Sequence, residues 1–217
     1  MALICLTWLW GHKYTPQYVF RLEDGVARNL AQSYRWMVVS PEREDEHLTI
    51  IPGCLCRLRM FSPAWQASHG IEPGDRIVCM DLDTVITGAL DPLFDRPEPF
   101  VIIQGANTSN PCPYLGAMMM LRAGEYPEVW SDFSYEAVNK IASFEFPDDQ
   151  GWLADKIPNA AGWQVGTETG VYAFGKNGWP KGTFLPPGAR LVTFPGWRDP
   201  STFAHLDWVK RHWSGDG

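Results

Sequence analysis

An apolar run ends abruptly in two acidic residues at Ile77-Val78-Cys79-Met80-Asp81-Leu82-Asp83-Thr84-Val85. A short, wholly apolar run of this kind is typical of a strand that is buried on both faces, as in a parallel sheet. Because side chains two positions apart on an extended backbone point to the same side, Asp81 and Asp83 are expected to lie together. Their like charges would repel, and a hard divalent cation such as Mn2+ or Mg2+ would neutralise them through carboxylate oxygens.

A plain surface turn is the alternative explanation for the two acids, since acidic residues are common in solvated turns. Two flanking features favour a metal-binding site instead. The apolar strand precedes the acids, and the segment Gly88-Ala89-Leu90-Asp91-Pro92-Leu93-Phe94 follows them. Ligands of open α/β sheets bind beyond the carboxyl ends of the strands, which is where Asp81 and Asp83 are expected.

Apolar runs alternate with helical patterns along the chain, which predicts an α/β fold with helices on both faces of the sheet. Thr15 and Pro16 supply a helix start, and apolar residues recur behind them at helical spacing. We expect one domain over residues 1–217. The predicted elements are strands at 3–10, 36–40 and 76–80 and helices at 16–29 and 55–68.

Composition disfavours several classes of function. The chain has 25 Asp and Glu against 18 Lys and Arg, a net charge of -7 and no basic run, so nucleic acid and anionic membranes are not expected as partners. The apolar stretch at 2–10 is too short for a membrane span or a secretion signal, which predicts a cytoplasmic protein without an integral membrane segment. The five cysteines include no CxxC pair and the five histidines no HExxH motif, so neither disulfides nor a zinc site are predicted.

The segment from Asp81 to Phe94 resembles the DxD region of nucleotide-sugar glycosyltransferases with the GT-A fold, particularly those related to glycogenin and the bacterial lipopolysaccharide galactosyltransferases. This resemblance implies a three-layer α/β/α fold with a mostly parallel central sheet. Shorter matches extend it over residues 3–213. They are Trp10-Gly11-His12-Lys13-Tyr14 after the first strand, Leu58-Arg59-Met60-Phe61 before the metal site, Tyr114-Leu115-Gly116-Ala117-Met118-Met119 behind the donor sugar, Asp148-Asp149-Gln150 at the acidic DQ step, and Phe194-Pro195-Gly196-Trp197-Arg198-Asp199-Pro200 at the C-terminal FHGxxKP loop.

The activity implied by the resemblance is transfer of a sugar from a nucleoside diphosphate, here expected to be a UDP-sugar, to an acceptor hydroxyl. Asp83 would be the principal ligand of Mn2+ or Mg2+, and Asp81 would bind the metal or the donor ribose. Asp149 would contact the donor sugar, and Gln150 would lie against the oxocarbenium-like transition state of a retaining reaction. Trp10, Lys13, Tyr14 and Leu82 are expected around the nucleotide, with Lys13 reaching a phosphate.

The last loop departs from the family pattern at two positions. The family has a histidine there that is a third metal ligand and a lysine that meets the diphosphate, whereas this chain has Pro195 and Asp199. Neither side chain can take over those roles. Arg198 is the candidate that could replace the charge of the lysine.

Three alternatives remain open at this point. Asp148 and Asp149 would also favour the start of a helix, so that one could cap it while the other faces the site. The loss of the histidine and lysine is consistent with a non-catalytic module that binds nucleotide sugars or glycans. The motif at Asp81 also fits the nucleophile of haloacid dehalogenase phosphohydrolases, although that motif normally follows the first strand, and two predicted strands precede it here.

The sequence does not determine the acceptor, which could be a glycan, a lipid-linked molecule or a protein. It also does not determine whether a homo-oligomer completes the acceptor site.

Overall fold

Nine strands form two sheets in the structure, a computed structural model that describes residues 1–40, 53–106, 112–141 and 148–213. The strands are β1 (Leu3–Trp8), β2 (Arg35–Val39), β3 (Arg76–Met80), β4 (Thr84–Ile86), β5 (Phe100–Gln104), β6 (Tyr114–Arg122), β7 (Ala161–Gln164), β8 (Val171–Ala173) and β9 (Leu191–Thr193).

The central sheet has six strands in the order β2-β1-β3-β6-β5-β7. β6 runs antiparallel to its neighbours β3 and β5, and the other neighbouring pairs are parallel. This arrangement confirms the predicted α/β fold with a mostly parallel sheet. The strand expected at 76–80 has these bounds, and the strands expected at 3–10 and 36–40 lie within two residues of β1 and β2.

Both faces of the central sheet are buried, which makes the molecule three-layered. Along β1, Ile4 and Leu6 point into one hydrophobic cluster, whereas Leu3 and Cys5 point into another on the opposite face. The helices are α1 (Pro16–Asn29), α2 (Pro63–Ser68), α3 (Asp91–Phe94), α4 (Glu128–Ser131), α5 (Tyr135–Asn139), α6 (Asp149–Lys156) and α7 (Asp207–Trp213), and the last of them packs against β4. In the described part of the chain, no helix has the length and apolar character needed to cross a bilayer.

Helix α1 has the predicted bounds and packs closely on β4. Its buried face includes Val19, Leu22 and Val26. Gly25 lies on the same face, where a Cβ atom would come within 3.2 Å of the Ile86 Cβ. The glycine lowers helix propensity by about 1 kcal/mol relative to alanine, and the close contact explains why a small residue is present there.

The prediction of one helix at 55–68 was wrong, because two separate helices cover this segment. A 3₁₀ helix covers Gly53–Phe61, and α2 begins at Pro63 with Ser62 as its N-cap, whose Oγ accepts from Trp65 N at 3.3 Å. Proline disfavours helical geometry in the residue before it, so the helix cannot continue through Ser62. The 3₁₀ helix brings Arg57 under the carboxyl end of β3.

The second sheet ties the acidic motif to the last loop. Its strands have the order β4-β9-β8. β4 starts directly after Asp83, and β9 ends directly before Phe194. The backbone N–H of Phe194 donates to the carbonyl of Asp83 at 3.1 Å, so the loop that follows Phe194 is held beside the acids.

Candidate active site

A cavity of about 360 Å³ opens beyond the carboxyl ends of β1 and β3. This is the position that open α/β sheets use for ligands. A wider hollow of about 630 Å³ beside Arg76 and Asp91 contains none of the predicted site residues. The smaller cavity contains all of them except Arg198, namely Trp10, Lys13, Tyr14, Asp81, Leu82, Asp83, Asp149 and Gln150.

Asp83 is a buried carboxylate, 7% exposed, at the base of this cavity. Its Oδ2 accepts a hydrogen bond from the Tyr14 hydroxyl at 2.6 Å and lies 3.8 Å from the Lys13 ammonium. Burial, and then the charge of Asp81, raise the pKa of Asp83 to about 7. The two acids are therefore in the repulsive arrangement that their spacing predicted.

Arg57 is the main functional residue that sequence reasoning missed. The residue is 4% exposed, and its guanidinium makes ion pairs with both Asp81 and Asp149. Burial alone lowers the pKa of Arg57, but the charges of Asp149 and Asp81 outweigh burial and raise it well above its ordinary value. Arg57 therefore joins the acid after β3 to the acid that opens α6, and both carboxylates face the same cation.

The two acids at the start of α6 have separate tasks, as the sequence allowed. Asp148 is the N-cap, and its Oδ1 accepts from the Gly151 N–H at 2.8 Å. Asp149 is fully buried against Arg57. Its Oδ1 is an exception among buried polar atoms, because it has no hydrogen-bond partner among the described residues.

Gln150 is held at both ends of its side-chain amide. Its Oε1 accepts from the Gly116 N–H at 3.0 Å, and its Nε2 donates to Asp148 Oδ2 at 2.8 Å. Gly116 lies in an irregular part of β6, where the register with β5 jumps from Ile102–Met119 to Ile103–Leu115. Such bulges are frequent next to active sites, and here the irregularity coincides with a backbone N–H that bonds Gln150.

Gly116 also lies close to the ion pair of Arg57 and Asp149. A Cβ atom at this position would lie 2.4 Å from Arg57 Nη2 and 3.2 Å from Asp149 Oδ2. Only glycine therefore fits between β6 and the buried pair without displacing the guanidinium.

The donor set around Asp81 and Asp83 fits a hard divalent cation. Arg57 engages Oδ1 of Asp81, and Tyr14 engages Oδ2 of Asp83. The remaining carboxylate oxygen of each residue accepts no hydrogen bond from the residues that the structure describes, and it is available to a metal. Over the same residues no cluster of three or more His, Cys, Asp or Glu side chains could hold a metal. Phosphate oxygens and water would have to supply the other ligands, as is common for Mg2+.

The first-strand segment places an amine and an aromatic ring beside the acids. The Lys13 ammonium lies 4.6 Å from the centroid of the Tyr14 ring, and its side chain is 53% exposed. The Tyr14 ring in turn lies 5.0 Å from the Tyr18 ring. Burial and the charge of Asp83 raise the pKa of Tyr14 above its ordinary value, so its hydroxyl remains a proton donor to Asp83.

The last loop lies at the cavity, but Arg198 does not line it. Pro195 and Gly196 form part of the wall. The Arg198 guanidinium stacks 4.9 Å from the centroid of the Trp197 ring and lies 3.5 Å from the Gly175 carbonyl. The structure thus does not bring Arg198 together with the other predicted nucleotide-binding residues.

Asp199 occupies the position of the family's lysine and has a structural contact. Its Oδ1 accepts from the Tyr18 hydroxyl at 2.8 Å and from the Ser201 N–H at 2.8 Å. The carboxylate therefore links the loop to α1.

Comparisons with known proteins find the fold among solved structures. No known family profile and no curated protein sequence matches the chain. A glycosyltransferase involved in the glycosylation of the major capsid of PBCV-1 matches with a TM-score of 0.60 and 14% identity, over 97% of this chain and 100% of that chain. The galactosyltransferase LgtC, solved with donor and acceptor sugar analogs, matches with a TM-score of 0.56 and 9% identity, over 96% of both chains.

Two further structures agree with these. The glycosyltransferase GlyE of Streptococcus pneumoniae matches with a TM-score of 0.56 and 11% identity, over 99% of this chain and 64% of that chain. An active site mutant of LgtC, in which glutamate replaces a glutamine, matches with a TM-score of 0.53 and 11% identity, over 96% of this chain and 93% of that chain. At these identities the likeness establishes the architecture, and the chain therefore has the GT-A fold of these glycosyltransferases, as its DxD segment implied.

Proposed function

We propose that this chain is a glycosyltransferase that moves a sugar from a nucleoside diphosphate donor to an acceptor hydroxyl. The observation that carries the proposal is the convergence of Asp81 and Asp83 with Asp149 and Gln150 in one cavity. Similar folds that are glycosyltransferases support it. The position of Asp81 after β3 favours transfer over the phosphohydrolase alternative, whose motif normally follows the first strand.

The proposal includes Mn2+ or Mg2+ bound by Asp81 and Asp83. When bound, the cation supplies Lewis-acid stabilisation of the negative charge on the departing diphosphate. The support for it is a pair of neighbouring carboxylates, the buried Asp83 and the partly exposed Asp81, each with an oxygen that accepts no hydrogen bond from the described residues. A UDP-sugar donor and retention at the anomeric carbon belong to the same proposal and rest on the resemblance of the DxD and DQ segments.

The chain's own groups have distinct tasks in this proposal. Lys13 supplies an ammonium close to the acids, and we assign it to the diphosphate in place of the family's lysine. The buried Oδ1 of Asp149 accepts a hydrogen bond from a donor-sugar hydroxyl, which gives this unpartnered atom a ligand. Arg57 keeps Asp81 and Asp149 in place and lowers the cost of burying them. Gln150 presents its amide to the reacting carbon, where a dipole stabilises developing positive charge.

The first test is the thermal midpoint of the protein with UDP, GDP, ADP and CMP, each with and without Mn2+. A ligand at a hundredfold its dissociation constant stabilises the folded state by about 2.7 kcal/mol, which is readily measured. We expect a rise that requires both one nucleotide and the metal, and that disappears in Asp83→Asn. Unchanged binding in Asp83→Asn, measured by calorimetry, would contradict the metal assignment.

The role of Gln150 is tested by turnover. Gln150→Ala is expected to leave donor binding nearly intact and to lower kcat for release of the sugar from its nucleotide. Equal kcat values for the variant and the parent protein would remove Gln150 from the mechanism.

A binding module without catalysis is the second candidate, and the last loop favours it. Pro195 lines the cavity where the family has a metal ligand, and Asp199 bonds Tyr18 instead of a diphosphate. Incubation of each nucleotide sugar with Mn2+ separates the two candidates. Sugar transfer or release indicates a transferase, whereas tight binding without turnover indicates the module.

A further inference from the structure

The side chain of Gln150 can adopt two orientations that exchange its oxygen and its nitrogen, and its neighbours permit only one. Gly116 offers a backbone N–H, which is a donor and requires the oxygen. Asp148 offers the carboxylate oxygen Oδ2, which is an acceptor and requires the nitrogen. A reversed amide would place two donors together at Gly116 and two acceptors together at Asp148.

Capping of α6 needs only one of the two oxygens of Asp148. Oδ1 accepts from the Gly151 N–H, which completes the cap. Elsewhere in the chain a single hydroxyl suffices: Ser134 caps α5 and Ser62 caps α2. The second oxygen of Asp148 is therefore not needed for capping, and its contact is the Gln150 amide.

Burial makes this contact selective. Burial, and then the charge of Asp149, raise the pKa of Asp148, so the carboxylate lies in partly desolvated surroundings. A hydrogen bond to a carboxylate in such surroundings is stronger than one between neutral groups. A misplaced donor or acceptor would be correspondingly costly, since water cannot easily replace the lost partner.

We propose that Asp148 is a positioning residue, whose Oδ2 fixes the orientation of the Gln150 amide beside the reacting carbon. The proposal rests on the proposed transferase function, in which Gln150 acts through its dipole. With the amide reversed, the positive end of that dipole would replace the negative end beside Gly116. Asp148 thus acts on the reaction through Gln150 and does not contact the donor itself.

Two variants separate positioning from capping. In Asp148→Asn the side chain can still cap the helix, since asparagine is as good an N-cap as aspartate, but it then presents an NH2 group to Gln150 Nε2. In Asp148→Ser a single hydroxyl caps α6, as in the other two helices, and the second acceptor is lost. We expect kcat to fall in both variants by roughly tenfold to a hundredfold, with the dissociation constant of the donor unchanged, because a small misplacement of a reacting group has such an effect. Parent-like kcat values in either variant would overturn the proposal.

Amide hydrogen exchange of Gly116 and Gly151 gives a readout that does not depend on activity. In Asp148→Asn, the Gly116 amide is expected to exchange about tenfold faster because it loses its acceptor, while Gly151 keeps its protection through the cap. Unchanged exchange at Gly116 would show that Asp148 does not set the orientation. If the parent protein turns over no UDP-glucose or UDP-galactose with Mn2+, the proposed function fails, and this exchange experiment still decides the orientation.

A double-mutant cycle with Gln150→Ala tests whether Asp148 affects kcat through Gln150. If Asp148 acts through Gln150, then Asp148→Asn lowers kcat in the parent protein and has no further effect when Gln150 is alanine. Equal effects of Asp148→Asn in both backgrounds would show an independent role and overturn the proposal.

Discussion

Arg57 supplies the positive charge that balances two carboxylates of the site, those of Asp81 and Asp149. It is buried between Asp81 and Asp149, and removing one partner of a buried ion pair leaves an uncompensated charge. We expect Arg57→Ala to lower the free energy of unfolding by about 3–5 kcal/mol, measured by urea denaturation. Arg57→Lys keeps the charge but cannot bridge two carboxylates with a planar fork, so it should recover only part of the loss.

Arg59 provides the matched control for this prediction. It belongs to the same 3₁₀ helix, is partly exposed, and its guanidinium lies 5.7 Å from the Trp130 ring centroid, outside the cavity. Arg59→Ala is expected to cost less than Arg57→Ala, because Arg59 is partly exposed and its loss leaves no buried carboxylate at the site without a counter-charge. Similar losses for the two arginines would show that the ion pairs of Arg57 are not what stabilises the site.

The raised pKa of Asp83 predicts that the stability of the protein depends on pH in the absence of metal. Its pKa is about 7 in the folded protein against an ordinary value of 3.8, so the folded state retains the proton longer than the unfolded state does. The stability contributed by this proton is complete below the ordinary pKa and is lost as the pH rises through the folded pKa. We expect the thermal midpoint to fall between about pH 4 and about pH 7, and to fall less in Asp83→Asn. Parallel pH profiles for the two proteins would contradict the raised pKa.

At the scale of the elements, helix α3, which belongs to the segment that resembles the family, also stabilises the fold. In α3, Leu93 and Phe94 are buried, and Asp91 accepts hydrogen bonds from the N–H groups of Ala31 and Gln32 at 3.0 Å each. Those bonds hold the turn between α1 and β2. They also lower the pKa of Asp91, so the stability that they contribute is present above the ordinary pKa and is lost as the pH falls.

Replacement of Asp91 tests these hydrogen bonds. We expect Asp91→Ala to destabilise the protein by about 1 kcal/mol at neutral pH, since backbone donors lose a charged acceptor, and to leave nucleotide binding intact. The exposed Asp95, which follows the same helix, is the control and should be close to neutral when replaced by alanine. A loss of nucleotide binding in Asp91→Ala would place this segment in the site itself.

The elements show which parts of the site the sequence could predict. β1 and β3 are apolar runs with clear ends, so residues such as Tyr14 and Asp83, which follow those ends, could be placed at one edge of the sheet. Arg57 could not be recognised, because its partners are 24 and 92 residues away and nothing local distinguishes it from Arg59. Arg198 does not line the cavity with the other predicted residues, because the position of a residue in this loop does not determine which way its side chain turns.

At the scale of the whole molecule, both faces of the central sheet are covered, and the cavity lies beyond the carboxyl ends of its strands. Burial on both faces explains why the strands are almost wholly apolar and why the α/β architecture could be recognised without a relative. The antiparallel β6 is the exception, and its irregular segment brings Gly116 to the acids. That feature depends on pairing between distant segments, which a pattern of local apolar residues does not report.

Because β4 and β9 pair through their backbones, the strand that follows Asp83 is joined to the strand that leads into one wall of the cavity. Thr84, next to Asp83, pairs with Thr193, and Pro195 in the wall follows two residues later. The backbone N–H of Phe194, which precedes Pro195, also donates to the Asp83 carbonyl, so the start of this wall is held to the strand that carries the acid. Ligand residence times at this side of the cavity are therefore expected to follow the strength of the contacts, without a slow opening step contributed by the wall.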